Sequence, residues 1–187
     1  MKRIAITSWC QQRIRQIMPE PKICIDATAG TGQDTLFLCK LTGEDGEILA
    51  MDIQEEALVQ ASRRIQEAGY EKKVHFVLDG HQNMDQYMNG KEVDLIMFNL
   101  GYLPGGDHSK ATIFSTTKEA VEKGLELLRE GGLMTIMIYS GGDSGFAERD
   151  AMLPFLKELD HKKYTVILEP FYNKPNTPPL PVYILKN

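Results

Sequence analysis

The chain has 187 residues, of which 42% are hydrophobic and 25% charged, and it carries a formal net charge of −5 at pH 7. This is an ordinary globular composition, and the length predicts a single domain over residues 1–187, with residues 1–20 as a helical segment packed on it. The net negative charge argues against a general nucleic-acid binder, although short basic runs leave a local basic patch open.

The sequence shows no sign of membrane insertion or secretion. No apolar run approaches the ~20 residues that span a bilayer. The N-terminal residues lack the apolar stretch and small-residue cleavage site of a signal peptide. We therefore expect a cytoplasmic protein with no membrane partner.

The three cysteines, Cys10, Cys24 and Cys39, lie among apolar neighbours without a CxxC motif or a Cys/His cluster. This pattern predicts small buried hydrophobic side chains, with neither a disulfide nor a metal site.

Apolar strands and amphipathic helices alternate along the whole chain. The predicted helices cover Thr7–Met18, a segment from Gly32 to Gly43, a segment with Leu58, Ala61, Ile65 and Ala68 on one face that ends at Gly69, a short stretch His81–Met88, Thr116–Arg129 and Ala147–Leu159. The predicted strands are Lys22–Ala27, Glu47–Ile53, Lys73–Leu78, Val93–Phe98, Leu133–Tyr139, Tyr164–Leu168 and Val182–Leu185. A capping box of Thr116 and Glu119 fits the start of the long helix, and Gly131-Gly132 is expected to stop it.

This alternation requires crossover connections between strands. It therefore predicts an α/β, Rossmann-like fold with a mostly parallel seven-stranded sheet and helices on both faces. The last two strands follow each other without a helix, which predicts an antiparallel pair at one edge. In such sheets the ligand binds beyond the carboxyl ends of the strands, so the residues that follow each strand are the informative ones.

A glycine-containing turn follows the first predicted strand, in the segment Asp26-Ala27-Thr28-Ala29-Gly30-Thr31-Gly32-Gln33-Asp34-Thr35. The glycines allow a sharp turn and close approach of a ligand, and the next helix offers unpaired N–H groups. A tight turn without a ligand is the alternative. Asp52 ends the second strand, where a carboxylate can accept both hydroxyls of a ribose. Asp79 ends the third strand, and helix capping is the alternative role for both acids.

An acid that opens an Asp-x-x-x-Gly-x-Gly pattern is typical of class I methyltransferases, whereas a nicotinamide dinucleotide usually has a third small residue where Thr35 stands. An acid also suits the cationic, phosphate-free S-adenosylmethionine better than a pyrophosphate. We therefore predict S-adenosylmethionine as the cofactor. The predicted cofactor-binding residues are Asp26, Ala27, Thr28, Gly30, Gly32, Asp34, Thr35, Asp52, Ile53, Asp79, Gly80, His81, Asn99 and Leu100.

The fourth strand runs into Asn99-Leu100-Gly101-Tyr102, which matches the first and last members of the Asn-Pro-Pro-Tyr motif of amino-methylating enzymes. The Asn99 side-chain oxygen can accept N–H groups of an amine nucleophile, and Asp107 or His108 can take its proton. We predict Asn99, Asp107 and His108 as catalytic residues. The predicted substrate-binding residues are Tyr102, Leu103, Pro104, Gly105, Gly106 and Tyr139. A surface loop whose Asp and His only form turns is the alternative.

The glycine-turn residues, the run from Asn99 to His108 and the late Asn176-Thr177-Pro178-Pro179 together resemble the YtqB-like family of putative rRNA methylases. These class I S-adenosylmethionine-dependent methyltransferases include the tRNA 5-aminomethyl-2-thiouridine methyltransferases. The resemblance implies methylation of the 5-aminomethyl group on the wobble uridine, with the tRNA anticodon loop as partner. The alternatives are an rRNA or small-amine methyltransferase, a non-catalytic nucleotide-binding module and a nicotinamide oxidoreductase. A homodimer remains open.

Overall fold

The computed structural model describes residues 5–100, 113–140 and 142–187, with residues 142–145 described by their backbone alone. Seven strands form a single sheet in the order β3-β2-β1-β4-β5-β7-β6. The strands are β1 (Ile23–Asp26), β2 (Glu47–Asp52), β3 (Val74–Leu78), β4 (Val93–Asn99), β5 (Leu128–Ile138), β6 (Tyr164–Leu168) and β7 (Leu180–Lys186). The helices are α1 (Ile6–Ile17), α2 (Gln33–Leu41), α3 (Glu55–Glu67), α4 (Phe114–Leu127) and α5 (Gly142–Glu158), with short 3-10 helices at Glu71–Lys73 and His81–Tyr87.

The sheet is mixed, because β1 to β5 pair in parallel whereas β7 runs antiparallel to both β5 and β6. The predicted antiparallel pair is therefore present at one edge of the sheet. The strand order reverses between β1 and β4, which makes the carboxyl ends of these two strands the topological switch point.

Apolar residues that alternate along the strands supply a core on each face of the sheet. On one face, Cys24, Leu95 and Met97 pack with Ile14 of α1 and Phe37 of α2. On the opposite face, strand residues pack against α4, α5 and the His81–Tyr87 segment. All three cysteines are buried and free of disulfides. No helix within the described ranges is both long and apolar enough to cross a membrane.

The start of α4 corrects the sequence prediction. The helix begins at Phe114 with Ile113 at the N-cap, and no side chain caps it. The Thr116 hydroxyl donates to the Ile113 carbonyl oxygen at 3.1 Å, so Thr116 lies inside the first turn. The capping box predicted for Thr116 and Glu119 is therefore wrong.

The junction of α4 and β5 is also different from the prediction. Leu128 has extended backbone angles and is fully buried, so the strand begins there instead of at Leu133. Gly131 has a φ of +71° and, with Gly132, lies in an irregularity of β5 where its register on β4 shifts. These glycines therefore accommodate a bulge in the strand and do not stop the helix.

The last helix is longer than predicted, since α5 begins at Gly142 instead of Ala147. Glycine and serine are weak helix formers, so the sequence pattern favoured a later start. The remaining predicted boundaries agree with the structure within two residues.

Candidate active site

The glycine turn between β1 and α2 is shaped by two residues with left-handed backbone. Gly30 has a φ of +49° and Gly32 a φ of +79°. A Cβ added at Gly32 would lie 2.8 Å from the Cα atom of Ala61 in α3. Glycine is therefore required at position 32 by both the backbone conformation and the close approach of α3. The turn delivers the free N–H groups of α2 to the switch point of the sheet.

Asp26 lies beneath this turn and not on its surface. Its side chain is 1% exposed, and Oδ2 accepts a hydrogen bond of 2.6 Å from the hydroxyl of Thr35, which is fully buried. Oδ1 accepts from the Thr28 N–H at 3.3 Å. Burial raises the pKa of Asp26 to about 7, with the charge of Asp34 adding to the effect. Asp26 and Thr35, both predicted to bind the cofactor, thus shape the turn from inside.

Asp52 ties the turn to the end of β2. One carboxylate oxygen accepts from the Gly30 N–H at 2.8 Å, and the other accepts from the Gln54 N–H at 2.9 Å. Gln54 is the N-cap residue of α3, so Asp52 is not the cap of that helix. Each Asp52 oxygen retains a lone pair for a ribose hydroxyl. Ile53, next to it, is 55% exposed and offers an apolar surface to a ring.

Asp79 follows β3 at the same edge of the sheet. It accepts hydrogen bonds from the Asn83 amide, the Tyr87 hydroxyl and the Gly80 N–H at 2.9, 2.8 and 2.7 Å. The Asn83 bond and then the Tyr87 bond lower the pKa of Asp79, which keeps it ionised. The adjacent Leu78 is 55% exposed and was not singled out from the sequence, because it is one of several apolar residues of a predicted strand.

His81 is a neutral imidazole that packs against the core. Burial lowers its pKa to about 4, against the effect of a hydrogen bond to the backbone of Ala27. Its ring stands edge-on to Phe98, with centroids 5.7 Å apart. Its Nε2 atom is buried and has no hydrogen-bond partner in the described part of the chain.

Asn99, the last residue of β4, is bound to both neighbouring segments of the site. Its N–H donates to the Thr28 hydroxyl at 2.7 Å, and its side-chain Nδ2 donates to Asp34 Oδ2 at 3.2 Å. The other Asp34 oxygen accepts from Gln11 Nε2 at 3.0 Å. Asn99 Oδ1 is buried, and none of the described residues makes a hydrogen bond to it. The structure thus brings to the switch point a buried hydrogen-bond acceptor to which no described residue donates.

The environment of Asp34 and Tyr139 is partly closed to water. Burial raises the pKa of Asp34, while hydrogen bonds from Gln11 and Asn99 act in the opposite direction. Burial also raises the pKa of Tyr139, followed by the charge of Asp34, while a hydrogen bond with the Asn99 side chain lowers it. Tyr139 is therefore a neutral phenol close to Asp34 and Asn99.

Other predicted residues take different places. The side chains of Ala27 and Leu100 are in the core. Gln11 was missed by sequence reasoning, because no local pattern links a residue of the first helix to Asp34. The predicted residues Tyr102, Leu103, Pro104, Gly105, Gly106, Asp107 and His108 lie outside the described residues. Within the described ranges, no group of three or more His, Cys, Asp or Glu side chains could hold a metal ion.

Comparison with known proteins gives the family. Residues 48–185 match the family described as Putative rRNA methylase. The tRNA (mnm(5)s(2)U34)-methyltransferase of Arabidopsis thaliana chloroplasts is 32% identical over 180 residues, which cover 91% of this chain and 65% of that protein. The chain therefore spans slightly less than two thirds of that relative.

Two solved structures are similar to this protein in fold and sequence along the full length of the chain. The putative rRNA-methylase from Clostridium thermocellum is 41% identical with a TM-score of 0.94, and each chain covers 100% of the other. A putative methyltransferase from Streptococcus mutans in complex with SAH is 38% identical with a TM-score of 0.88 and the same coverage. The glycine turn, the strand-end acids and these matches show that the chain belongs to the putative rRNA methylase family of S-adenosylmethionine-dependent methyltransferases.

Proposed function

We propose that this chain transfers a methyl group from S-adenosylmethionine to an amine, and that the amine is the 5-aminomethyl group of a wobble 2-thiouridine in the anticodon loop of tRNA. The observation that carries the choice of an amine is the buried Oδ1 atom of Asn99 at the switch point, which has no hydrogen-bond partner among the described residues. Such an acceptor binds an N–H group and directs the nitrogen lone pair elsewhere.

The described residues fit the cofactor. Asp52 keeps lone pairs for ribose hydroxyls, and the exposed side chain of Ile53 next to it offers an apolar surface. When bound, S-adenosylmethionine supplies an electrophilic methyl group on a sulfonium centre. The Asn99 N–H donates to the Thr28 hydroxyl at 2.7 Å, which fixes the position of Asn99 relative to the glycine turn.

The reaction moves positive charge from sulfur to the acceptor nitrogen. Asn99 Oδ1 would hold one N–H of the amine, which aims the lone pair at the methyl carbon and supplies most of the acceleration by positioning. The carboxylate of Asp34, 3.2 Å from Asn99 Nδ2, would stabilise the positive charge that develops on nitrogen. A primary amine must first lose a proton at neutral pH, and we assign this step to Asp107 or His108.

An RNA acceptor is supported by the similarity to the Arabidopsis tRNA methyltransferase and by an aromatic surface at the same sheet edge. Trp9 of α1 meets Phe171 edge-on at 6.2 Å, Arg13 lies over Trp9, and Lys174 lies over Phe171. Tyr172 is 98% exposed. Aromatic and cationic side chains of this kind bind unstacked bases. The surface follows the end of β6. Because β6 is three strands away from β4 in the sheet, the surface begins ~14 Å from the end of β4.

The test is nucleoside mass spectrometry of hypomodified tRNA incubated with the protein and S-adenosylmethionine. We expect 5-aminomethyl-2-thiouridine to gain one methyl group. Asn99→Ala should reduce turnover by about 10²–10³-fold, since a positioned acceptor is lost, while S-adenosylhomocysteine still binds. Gln66→Ala, which removes an exposed amide on α3, is the matched control and should retain full turnover.

The outcomes separate the alternatives. Full turnover in Asn99→Ala would contradict the role of that residue. Methylation of rRNA and not of tRNA would favour the activity in the family description. Methylation of a free amine alone would favour a metabolic enzyme, and cofactor binding without transfer to any of these would favour a binding module.

A further inference from the structure

The helix that precedes the first strand reaches into the candidate active site through one side chain. Gln11 of α1 donates from Nε2 to Asp34 Oδ1 at 3.0 Å across 23 residues of sequence. Cys10 and Ile14 on the same helix are buried in the core, so the backbone that carries Gln11 is anchored on both sides. The position of the Gln11 amide is therefore set by the packing of the whole helix.

The chemistry of a carboxylate determines the orientation of its two amide neighbours. An ionised carboxylate only accepts hydrogen bonds, so Gln11 and Asn99 must both turn their NH₂ groups toward Asp34. Asn99 Nδ2 accordingly lies 3.2 Å from Asp34 Oδ2. The Asn99 oxygen then points away from Asp34, where it is buried without a partner among the described residues.

We propose that Gln11 is a positioning residue, which holds the Asp34 carboxylate so that the Asn99 amide presents its oxygen to the acceptor amine. The identity of the amine rests on the proposed function, whereas the amide orientation does not. Gln11 satisfies the Asp34 oxygen that Asn99 does not reach, so the carboxylate has donors on both oxygens.

Loss of Gln11 would weaken this arrangement in a specific way. A poorly hydrated carboxylate with one donor is more easily protonated or rotated. A protonated Asp34 can donate to Asn99 Oδ1 and reverse the amide, which turns NH₂ toward the acceptor amine. The titratable groups near Asp34 are Asp26, Cys10 and Tyr139, and burial together with the charge of Asp34 raises the pKa of each of them. All three groups are present in both the parent and the variant.

The direct test is the side-chain amide resonance of Asn99 in ¹⁵N-labelled protein, identified by its loss in Asn99→Ala. Gln11→Met keeps the size of the side chain and removes the donor. We expect its Asn99 amide resonance to shift and its pH titration, which reports Asp34, to move to higher pH. Gln12→Met on the exposed side of α1 is the matched control and should leave both unchanged.

The kinetic test uses the same pair of variants on the tRNA substrate. Gln11→Met should lower kcat by about 10-fold, with an acidic limb of the pH profile moved to higher pH and the KM for S-adenosylmethionine unchanged. The proposal would be overturned if Gln11→Met left the Asn99 resonance unchanged and had the same kcat as the control Gln12→Met. If the parent protein methylates no amine, the proposed function fails, and the resonance alone still decides the positioning role of Gln11.

Discussion

The buried carboxyl group of Asp26 holds the glycine turn in place and makes the stability of the protein depend on pH. Burial raises its pKa in the folded protein to about 7, against about 3.9 in an unfolded chain. The folded state therefore binds the proton more tightly. The resulting stabilisation is complete below the unfolded pKa and is lost as the pH rises through the folded pKa.

We predict that the free energy of unfolding of the parent, minus that of Asp26→Asn, falls between about pH 4 and pH 7 by on the order of 4 kcal/mol and is flat above. His81, with its pKa lowered to about 4, contributes with the opposite sign, but it is present in both proteins and cancels. Urea unfolding at several pH values measures the difference. Asp45→Asn, on an exposed loop, is the control, and a difference that rises with pH would contradict the assignment of Asp26.

Two helices have, at their carboxyl ends, a lysine from a distant part of the chain. Lys73, just before β3, donates to the Cys39 carbonyl in the last turn of α2 at 3.4 Å and to the Gly43 carbonyl just after the helix at 2.6 Å. Lys186 of β7 donates to the carbonyls of Leu125 and Leu128 at the end of α4. The last carbonyls of a helix have no partner within it and carry partial negative charge, so a cation there stabilises the end.

We predict that Lys186→Met lowers the free energy of unfolding by about 1–2 kcal/mol, because it leaves carbonyl groups at the end of α4 without a donor but keeps the aliphatic stem. Urea unfolding measures the loss. Lys162→Met removes an exposed lysine near the same end of the sheet and should change stability by less than about 0.5 kcal/mol. Equal effects of the two substitutions would show that the α4 contacts contribute nothing.

The whole molecule couples cofactor binding to stability, since the predicted binding residues come from the ends of separate strands. Asp52 at the end of β2 bonds to the Gly30 N–H in the turn after β1, and Asn99 at the end of β4 bonds to Thr28. A ligand held by these groups binds only the folded chain. It must therefore raise the free energy of unfolding by mass action.

We predict that S-adenosylhomocysteine at 100 times its Kd raises the free energy of unfolding by about 2.7 kcal/mol, seen as a higher Tm. Asp52→Ala should lose most of this rise at the same ligand concentration, because the ribose hydroxyls lose their acceptor. Glu56→Ala, an exposed acid on the adjacent α3, should keep it. A full rise in Tm for Asp52→Ala would place the ribose elsewhere.

Much of the architecture follows from local patterns. The alternation of strands and helices predicted seven strands, and all seven are present. Gly30 and Gly32 have the left-handed backbone expected of a tight turn, and Asp52 and Asp79 stand at the ends of neighbouring parallel strands. Periodicity and turn chemistry depend on residues close together in the chain, so a single sequence contains this information.

Other features depended on contacts between distant residues. The sequence could not show that Asp26 turns inward to Thr35, that Gln11 reaches Asp34, or that Lys186 ends α4. The start of β5 at Leu128 was missed for the same reason, since burial against the core overrides the helical pattern before it. The sequence alone determined the fold class and the edge of the sheet at which the candidate site was predicted. Tertiary packing decided which side chains face that site, because the direction of a side chain depends on neighbours brought from elsewhere in the chain.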